Sequence, residues 1–247
     1  MMRKKLCLLI YLTLLLSACS GNYSGNQQPE HVINARNELA KSLIVGGNFD
    51  AAVRLYQDLA KNYPYDPDPV LRLGNLFLEV HDLIGAFAAF EEAYSRGAKQ
   101  EAMIGHGRIA LTRNQAEKAI ELFSEVLSKD PQNFDALNGQ GVANDIMGNY
   151  LVAQNFYAKA QGVNPSSRGL QRNIALSLSF SGETDQSKSI MQHLVSSPGV
   201  TEQEHQNLSF ISVLGGKTSD VRNLNPDFSI EQHQSFLNYW FNMELSK

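Results

Sequence analysis

Residues 141–157 read GVANDIMGNYLVAQNFY, and the spacing of Gly141, Ala153 and Tyr157 within this stretch decides the predicted fold. The alanine follows the glycine by twelve residues, and the tyrosine follows the alanine by four. The same spacing occurs three times earlier, at a period of 33 or 34 residues, in the triplets Ala40, Ala52, Tyr56; Gly74, Ala86, Phe90; and Gly107, Ala119, Phe123. A period of this length predicts a repeat protein in which each repeat is one supersecondary unit.

Each recurring residue type has a physical reason. A glycine or alanine in a first helix and an alanine in a second helix let the two helices cross closely, and the aromatic residue fills the wider space beside that contact. Proline follows the second helix in three units, at Pro64, Pro131 and Pro165, and ends the helix because it lacks an amide donor. This pattern resembles the tetratricopeptide repeat (TPR), and the match covers roughly residues 33–216.

The resemblance implies an all-α fold, a TPR solenoid of about five helix pairs plus C-terminal capping helices. We place the units at residues 33–66, 67–99, 100–133, 134–167 and 168–201. The second unit lacks the proline, and we expect its exit turn to be built around Gly97. The fifth unit is degraded, since Ser187 stands at the alanine position and Met191 at the aromatic position. Because a solenoid needs a cap over its last apolar face, residues 202–247 are predicted to form a partial sixth unit and a capping helix.

The N-terminal segment has the features of an export signal. Basic residues at 3–5 precede an apolar run of eleven residues, at 6–16, whereas a membrane-spanning helix needs about twenty. The run ends in Leu16-Ser17-Ala18-Cys19, which resembles the lipobox of bacterial lipoproteins. The resemblance implies that residues 1–18 are cleaved, that Cys19 carries a diacylglycerol, and that residues 19–32 are the lipidated N-terminus and a flexible tether. The alternative is an ordinary secretory signal with an incidental cysteine.

Several properties of the mature protein follow from cleavage at that point. Ser20 stands where an aspartate favours retention in the inner membrane, so the lipoprotein resemblance implies an outer-membrane anchor. The formal net charge is −4, and loss of residues 1–18, with three basic and no acidic side chains, would leave −7. Such a chain is not expected to bind nucleic acid. Cys7 would be removed and Cys19 acylated, which leaves neither a disulfide nor a free thiol.

Motifs for catalysis are weak in this sequence. The stretch LGGKT at 214–218 ends like a phosphate-binding loop, but Ile211 stands where that motif needs its first glycine. The six histidines are scattered, no two of them four residues apart, so their spacing does not indicate a metal site. No G-x-S-x-G motif occurs. We therefore predict no enzyme activity, no metal, no small-molecule substrate and no cofactor other than the covalent lipid.

A solenoid of this kind offers a concave groove lined by its first helices, which suits a bound peptide or helix. Counting each unit from its first residue, we expect about half of the candidate residues to line the groove and the others to pack in the core. The candidates are Lys41, Ile44, Leu71, Asn75, Leu78, Ile104, Arg108, Leu111, Asn138, Val142, Asp145, Arg172, Leu176 and Phe180.

The combination of lipobox, tether and repeats resembles the TadD lipoproteins of the tight-adherence (Flp pilus) machinery. Residues 141–157, 172–182 (RNIALSLSFSG) and 206–210 (QNLSF) carry this likeness. It implies an outer-membrane lipoprotein that assists assembly or stability of the pilus secretin by binding, not by catalysis. The alternatives are a type IV pilotin, a TPR scaffold subunit of the outer-membrane barrel-insertion complex and, least favoured, an enzyme accessory.

Overall fold

The computed structural model describes residues 30–201 and, beyond them, residues 204, 205, 207, 208 and 211. The predicted signal peptide, Cys19 and most of the tether lie outside the described residues. The same is true of most of the predicted sixth unit and of the capping helix.

The described part of the chain contains ten α-helices and no strand. They are α1 Glu30–Val45, α2 Phe49–Asn62, α3 Asp68–Glu79, α4 Leu83–Ser95, α5 Lys99–Thr112, α6 Ala116–Lys129, α7 Phe134–Ile146, α8 Tyr150–Val163, α9 Arg168–Phe180 and α10 Thr184–Ser196. Each helix packs against the next, and the first helices of neighbouring units also touch, α3 with α5, α5 with α7 and α7 with α9. This confirms the predicted all-α solenoid of helix pairs.

The turn inside each helix pair has one conformation throughout the solenoid. A single residue with positive φ stands at every such turn: Gly47, His81, Asn114, Gly148 and Gly182, with φ between 57° and 93°. In every turn the amide of the following residue donates to the carbonyl five residues earlier, at 2.8 Å, as from Asn149 to Asn144. This is a Schellman motif, which ends the first helix and starts the chain back along it.

The turns between units are held in a different way. In the second unit Gly97 has φ 104° and takes part in the exit turn, directly before Ala98, which stands where three other units have proline. The neighbouring Arg96 donates hydrogen bonds from its guanidinium to the carbonyls of Ala60, Tyr63 and Asp66. Arg96 therefore satisfies the free carbonyls at the exit of the first unit.

The recurring alanines and aromatics form the core of each unit. Ala52, Ala86, Ala119, Ala153, Tyr56, Phe90, Phe123 and Tyr157 are all at most 2% exposed. A side chain added at Gly74 or Gly107 would overlap the aromatic ring of its own unit, with its Cβ 2.7 Å from Phe90 Cε1 or 2.6 Å from Phe123 Cε1. Glycine is needed at these positions because the ring lies against the backbone.

A second glycine encloses the ring from the other side in two units. A Cβ at Gly105 would lie 2.5 Å from Phe90 Cδ1, and one at Gly139 would also overlap Phe123. Both glycines belong to the first helix of the following unit, so Phe90 and Phe123 are each held between glycines of two consecutive units. The ring therefore joins one unit to the next, which the repeat pattern in the sequence did not reveal.

Candidate functional site

The first helices of all five units line one continuous cavity, the groove, with a volume of about 650 Å³. Of the residues expected there, the structure places seven in the lining: Ile44, Asn75, Ile104, Arg108, Asn138, Val142 and Arg172. Residues that the sequence analysis did not select also line it: Arg72, Leu76, Glu79, Phe134, Asp135, Leu170, Arg168 and Asn173. The lining mixes aliphatic side chains with hydrogen-bonding and charged ones.

The structure places the other seven expected residues away from the groove. Leu78, Leu111 and Leu176 are buried in the core. Leu71 packs against the cluster around Phe90, and Phe180 packs against its neighbours and stacks on Tyr150. Lys41 is exposed on α1, where it pairs with Glu38 at 2.7 Å. The remaining residue, Asp145, is a special case.

Asp145 lies inside the solenoid, although its position in the unit predicted a groove residue. Its side chain is fully buried, and its carboxylate accepts hydrogen bonds from Ser177 Oγ at 2.7 Å and Tyr157 OH at 2.8 Å. Burial raises the pKa of Asp145 to about 8, and the two hydrogen bonds oppose this rise. Because α7, α8 and α9 meet at this point, Asp145 connects three helices and is unavailable to a ligand in the groove.

The middle of the groove is occupied by Arg108. Its Nη1 donates a hydrogen bond to Asn75 Oδ1 at 2.8 Å, and its Nε is buried without a hydrogen-bond partner among the described residues. Burial lowers the pKa of Arg108, and the negative charge of Asp135 opposes this effect. Since a guanidinium stays protonated in proteins, Arg108 brings a positive charge to the centre of the groove.

Asparagines continue the polar part of the lining toward the C-terminal units. Asn173 Nδ2 donates to Asn138 Oδ1 at 2.9 Å, which links the first helices of the fourth and fifth units. Together with Asn75 these side chains present amide groups along the groove. Amides can both donate and accept, so they can pair with the backbone of a bound peptide.

The C-terminal end of the groove is held by an ion-pair network. Arg168 binds Glu204 through two nitrogens, at 2.7 and 3.0 Å, and Arg172 reaches the same carboxylate at 3.3 Å. Burial alone would raise the pKa of Glu204, but the Arg168 and Thr201 hydrogen bonds and the two arginine charges lower it to about 2. Arg168 also donates to the carbonyls of Leu194 and Pro198, so the network joins the last described helix pair to residue 204.

At the N-terminal end, Arg72 lies between Asp68 and Tyr56. Its Nε donates to Asp68 Oδ2 at 2.6 Å. Burial raises the pKa of Tyr56, while the charge of Arg72 and its hydrogen bond to the phenol oppose the rise. Arg72, like Arg168 and Arg172, therefore already has a carboxylate partner.

Comparison with known proteins decides the family. Residues 37–102 and 104–161 match the tetratricopeptide repeat model, which together is half of the chain. The chain belongs to the tetratricopeptide repeat family. TPR proteins are generally scaffolds without catalytic activity.

Individual relatives are distant. A TPR protein of the thermophile Thermus thermophilus is 15% identical and has a TM-score of 0.63, with 72% of this chain and 97% of that chain covered. PilW, described as a type IV pilus biogenesis factor, is 16% identical with a TM-score of 0.60, covering 84% of this chain and 100% of that chain. Pseudomonas aeruginosa PilF is 13% identical with a TM-score of 0.53, covering 82% of this chain and 96% of that chain. Identities this low show the TPR fold alone.

Among curated sequences, an uncharacterised protein of Sinorhizobium fredii, y4yS, is 33% identical over 86 residues. The match covers 35% of this chain and 47% of that protein. Two other matches, to a Xenopus laevis TPR protein and a tomato glycosyltransferase, each cover 11% of the relative. The chain thus spans less than half the length of these curated relatives.

Two of the groove residues that the sequence analysis missed, Arg72 and Asn173, follow a simple rule of the TPR unit. Two residues before the small residue of the first helix come Arg72, Gly105, Gly139 and Asn173 in units two to five. This position faces the preceding unit, as the contacts of Gly105 and Gly139 with Phe90 and Phe123 show. A comparison of this position between units would have identified Arg72 and Asn173 as candidate groove residues.

The chemistry that the described residues offer is that of binding. No group of three or more potential metal ligands occurs among residues 30–201 and the five described beyond them. Within the same part of the chain, the helices are too short or too polar to cross a bilayer. The TPR groove supplies apolar contact, amide hydrogen bonds and one central guanidinium.

Proposed function

We propose that this protein is a lipid-anchored TPR scaffold of the outer membrane that binds a segment of a partner protein in its groove and assists assembly of a pilus secretin. The groove is the observation that supports binding. It runs from Ile44 in the first unit to Thr201 at the end of the fifth without interruption and has a volume of about 650 Å³. Mixed aliphatic and polar lining of this kind suits a polypeptide segment.

The pilus part of the proposal rests on sequence likeness. The stretches at 141–157 and 172–182 and the lipobox ending at Cys19 resemble the tight-adherence lipoproteins. A type IV pilotin is the second candidate, because the fold of PilW matches over that chain's whole length with a TM-score of 0.60. In both cases the protein acts by binding and is not an enzyme.

Photo-crosslinking from inside the groove tests the proposal in the living host. Asn138 lines the groove, so replacing it with the crosslinking residue p-benzoylphenylalanine places the reactive group against any bound segment. Leu151 is the matched control, because it lies on the second helix of the same unit, is 78% exposed and is absent from the lining. We expect a secretin to be captured from position 138 and not from position 151.

The identity of the captured protein separates the candidates. A tight-adherence secretin supports the first candidate, and a type IV pilus secretin supports the second. Capture of the barrel-insertion machinery, or equal capture from both positions, would contradict the proposal. Deletion of the gene provides an independent readout, since loss of secretin multimers is expected only if the scaffold assists their assembly.

A further inference from the structure

Arg108 differs from the other arginines of the groove. Arg72 pairs with Asp68 at 2.6 Å, and Arg168 and Arg172 share Glu204 at 2.7 and 3.3 Å. For Arg108, no carboxylate among the described residues lies within ion-pair distance. Its contacts are one hydrogen bond to the neutral Asn75 and the longer-range attraction of Asp135.

A half-buried guanidinium with an unused donor is an unfavourable arrangement by itself. Removing a charged donor from water costs free energy unless an acceptor replaces the lost water, and the best acceptor for a planar guanidinium is a carboxylate. The buried Nε of Arg108 lacks an acceptor in the described part of the structure, and the side chain lines the cavity. A carboxylate supplied by a ligand in the groove would offset this cost, because its charge attracts the guanidinium even where Nε itself is covered.

The position of Arg108 indicates which kind of carboxylate fits. Arg108 belongs to the third of five units, and the groove continues past it in both directions. The half-buried Ile44 lines the side of the first two units, and the half-buried Phe134 lines the side of the last two. A segment that contacts both sides passes over Arg108 with its interior, so the carboxylate belongs to a side chain and not to a chain end.

We propose that Arg108 binds the carboxylate of an aspartate or glutamate within an extended segment of the partner protein, while aliphatic residues on either side of that acid contact Ile44 and Phe134. This inference rests on the proposed binding function of the groove and names the chemistry that the groove recognises. The acid occupies the free side of the guanidinium, and the Asn75 hydrogen bond holds that side chain in place.

Selection from a random dodecapeptide library tests this inference with the full-length protein. The library is displayed on phage with its C-terminus fused, so that only side chains can supply a carboxylate. We expect peptides with one aspartate or glutamate between aliphatic residues on the unchanged protein and on Arg113→Gln, the matched control, because Arg113 is exposed in the same unit and is absent from the lining. On Arg108→Gln this preference is expected to disappear.

A peptide from that selection is then synthesised with blocked ends, in an acid form and in the form with the corresponding amide. The unchanged protein is expected to bind the acid form about 10- to 100-fold more tightly, the range typical of a charge-assisted hydrogen bond. Arg108→Gln should bind the two forms equally. Arg108→Lys keeps the positive charge but lacks the planar guanidinium that can bind both carboxylate oxygens. It should therefore retain part of the difference in affinity between the two peptide forms.

The possible failures are distinguishable. Peptides that bind without an acid, and whose binding is lost in Phe134→Glu, would overturn the role of Arg108 but leave the proposed function intact. Enrichment only from a second library with free C-termini would overturn the side-chain assignment. If neither library enriches a peptide, both this inference and the peptide-binding function of the groove are wrong. Thermal unfolding of each variant shows whether it is folded.

Discussion

The ring of Phe123 occupies a slot bounded by two glycine backbones. Gly107 lies on one side of the ring and Gly139 on the other, and a Cβ at either position would overlap it. Protein interiors are packed too densely to absorb an added methyl group without a shift of the ring or of a helix. The constraint on these residues is therefore steric.

Substitution of Gly107 by alanine tests this constraint. The added Cβ would lie 2.6 Å from Phe123 Cε1, so we expect the free energy of unfolding to fall by about 1–3 kcal/mol. Gly162→Ala is the matched control, because nothing lies within 4 Å of a Cβ there and the site is helical. Alanine at residue 162 should stabilise by about 0.5–1 kcal/mol, since it favours a helix more than glycine does. Urea unfolding measures the change in the free energy of unfolding for both variants, and equal changes would contradict the packing argument.

Asp145 gives the protein a dependence of stability on pH. Burial raises the pKa of its carboxyl from 3.8 to about 8, so between these pH values the folded protein holds a proton that the unfolded chain releases. The contribution of Asp145 to the free energy of unfolding therefore falls as pH rises from about 4 to about 8, by at most about 1.4 kcal/mol per pH unit.

Asp145→Asn removes this titration and leaves a side chain of nearly the same shape. Its amide resembles the protonated acid, and both Ser177 and Tyr157 can reorient their hydroxyl groups to pair with it. We expect the variant to gain stability relative to the unchanged protein as pH rises from 5 to 8, measured by urea unfolding at each pH. Parallel pH profiles of the two proteins would show that Asp145 does not titrate in this range.

At the scale of elements, the same Schellman turn closes each helix pair. Three units place glycine at the left-handed position, while the second and third units use His81 and Asn114, with φ of 60° and 57°. Residues with a Cβ are strained in this conformation. The turn is retained in these two units because helix packing on both sides fixes the path of the chain.

His81→Gly should therefore stabilise the protein. His81 is exposed, so the substitution relieves backbone strain with little loss of contact, and we expect the free energy of unfolding to rise by about 0.5–1 kcal/mol. The reverse change, Gly148→Ala at φ 76°, should lower it by about 1–2 kcal/mol. Urea unfolding of the two variants provides the comparison. A destabilised His81→Gly protein would mean that the histidine side chain makes a contribution larger than the strain.

At the scale of the whole molecule, the solenoid is a row of units that each contact only their neighbours. Stability in such proteins is approximately the sum of unit and interface contributions. The aromatic residues held between glycines of two units and the contacts of Arg96 across the first exit turn are among the interface contributions. The outcome is a binding surface that is extended along five units.

Cys19 is predicted to determine where this surface lies in the cell. Cys19→Ala removes the sulfur that would carry the lipid, so we expect an unprocessed precursor in the inner membrane and no incorporation of labelled fatty acid. Gel mobility, radiolabelled palmitate and fractionation of membranes measure these outcomes. Ser20→Ala is the matched control, because it leaves the cysteine in place. Normal outer-membrane fractionation of the Cys19→Ala protein would overturn the predicted anchor.

The sequence by itself determined the repeat. The spacing of Gly141, Ala153 and Tyr157, and its earlier copies, predicted an all-α solenoid and the TPR family correctly, because these residues pack against each other within one unit. Such contacts are local in the chain, so a fixed spacing records them. The elements were therefore predictable from this spacing and its recurrence along one chain.

The tertiary structure alone decided which side chains face the groove and how they are charged. Asn138 and Asp145 lie on the same first helix and were both predicted to line the groove, yet Asp145 is buried against Tyr157 and Ser177. Arg172 and Arg108 were likewise both predicted to line the groove, but Glu204, 32 residues from Arg172, neutralises only Arg172. These outcomes depend on how consecutive units are rotated and on contacts between distant residues, which a repeat spacing does not record.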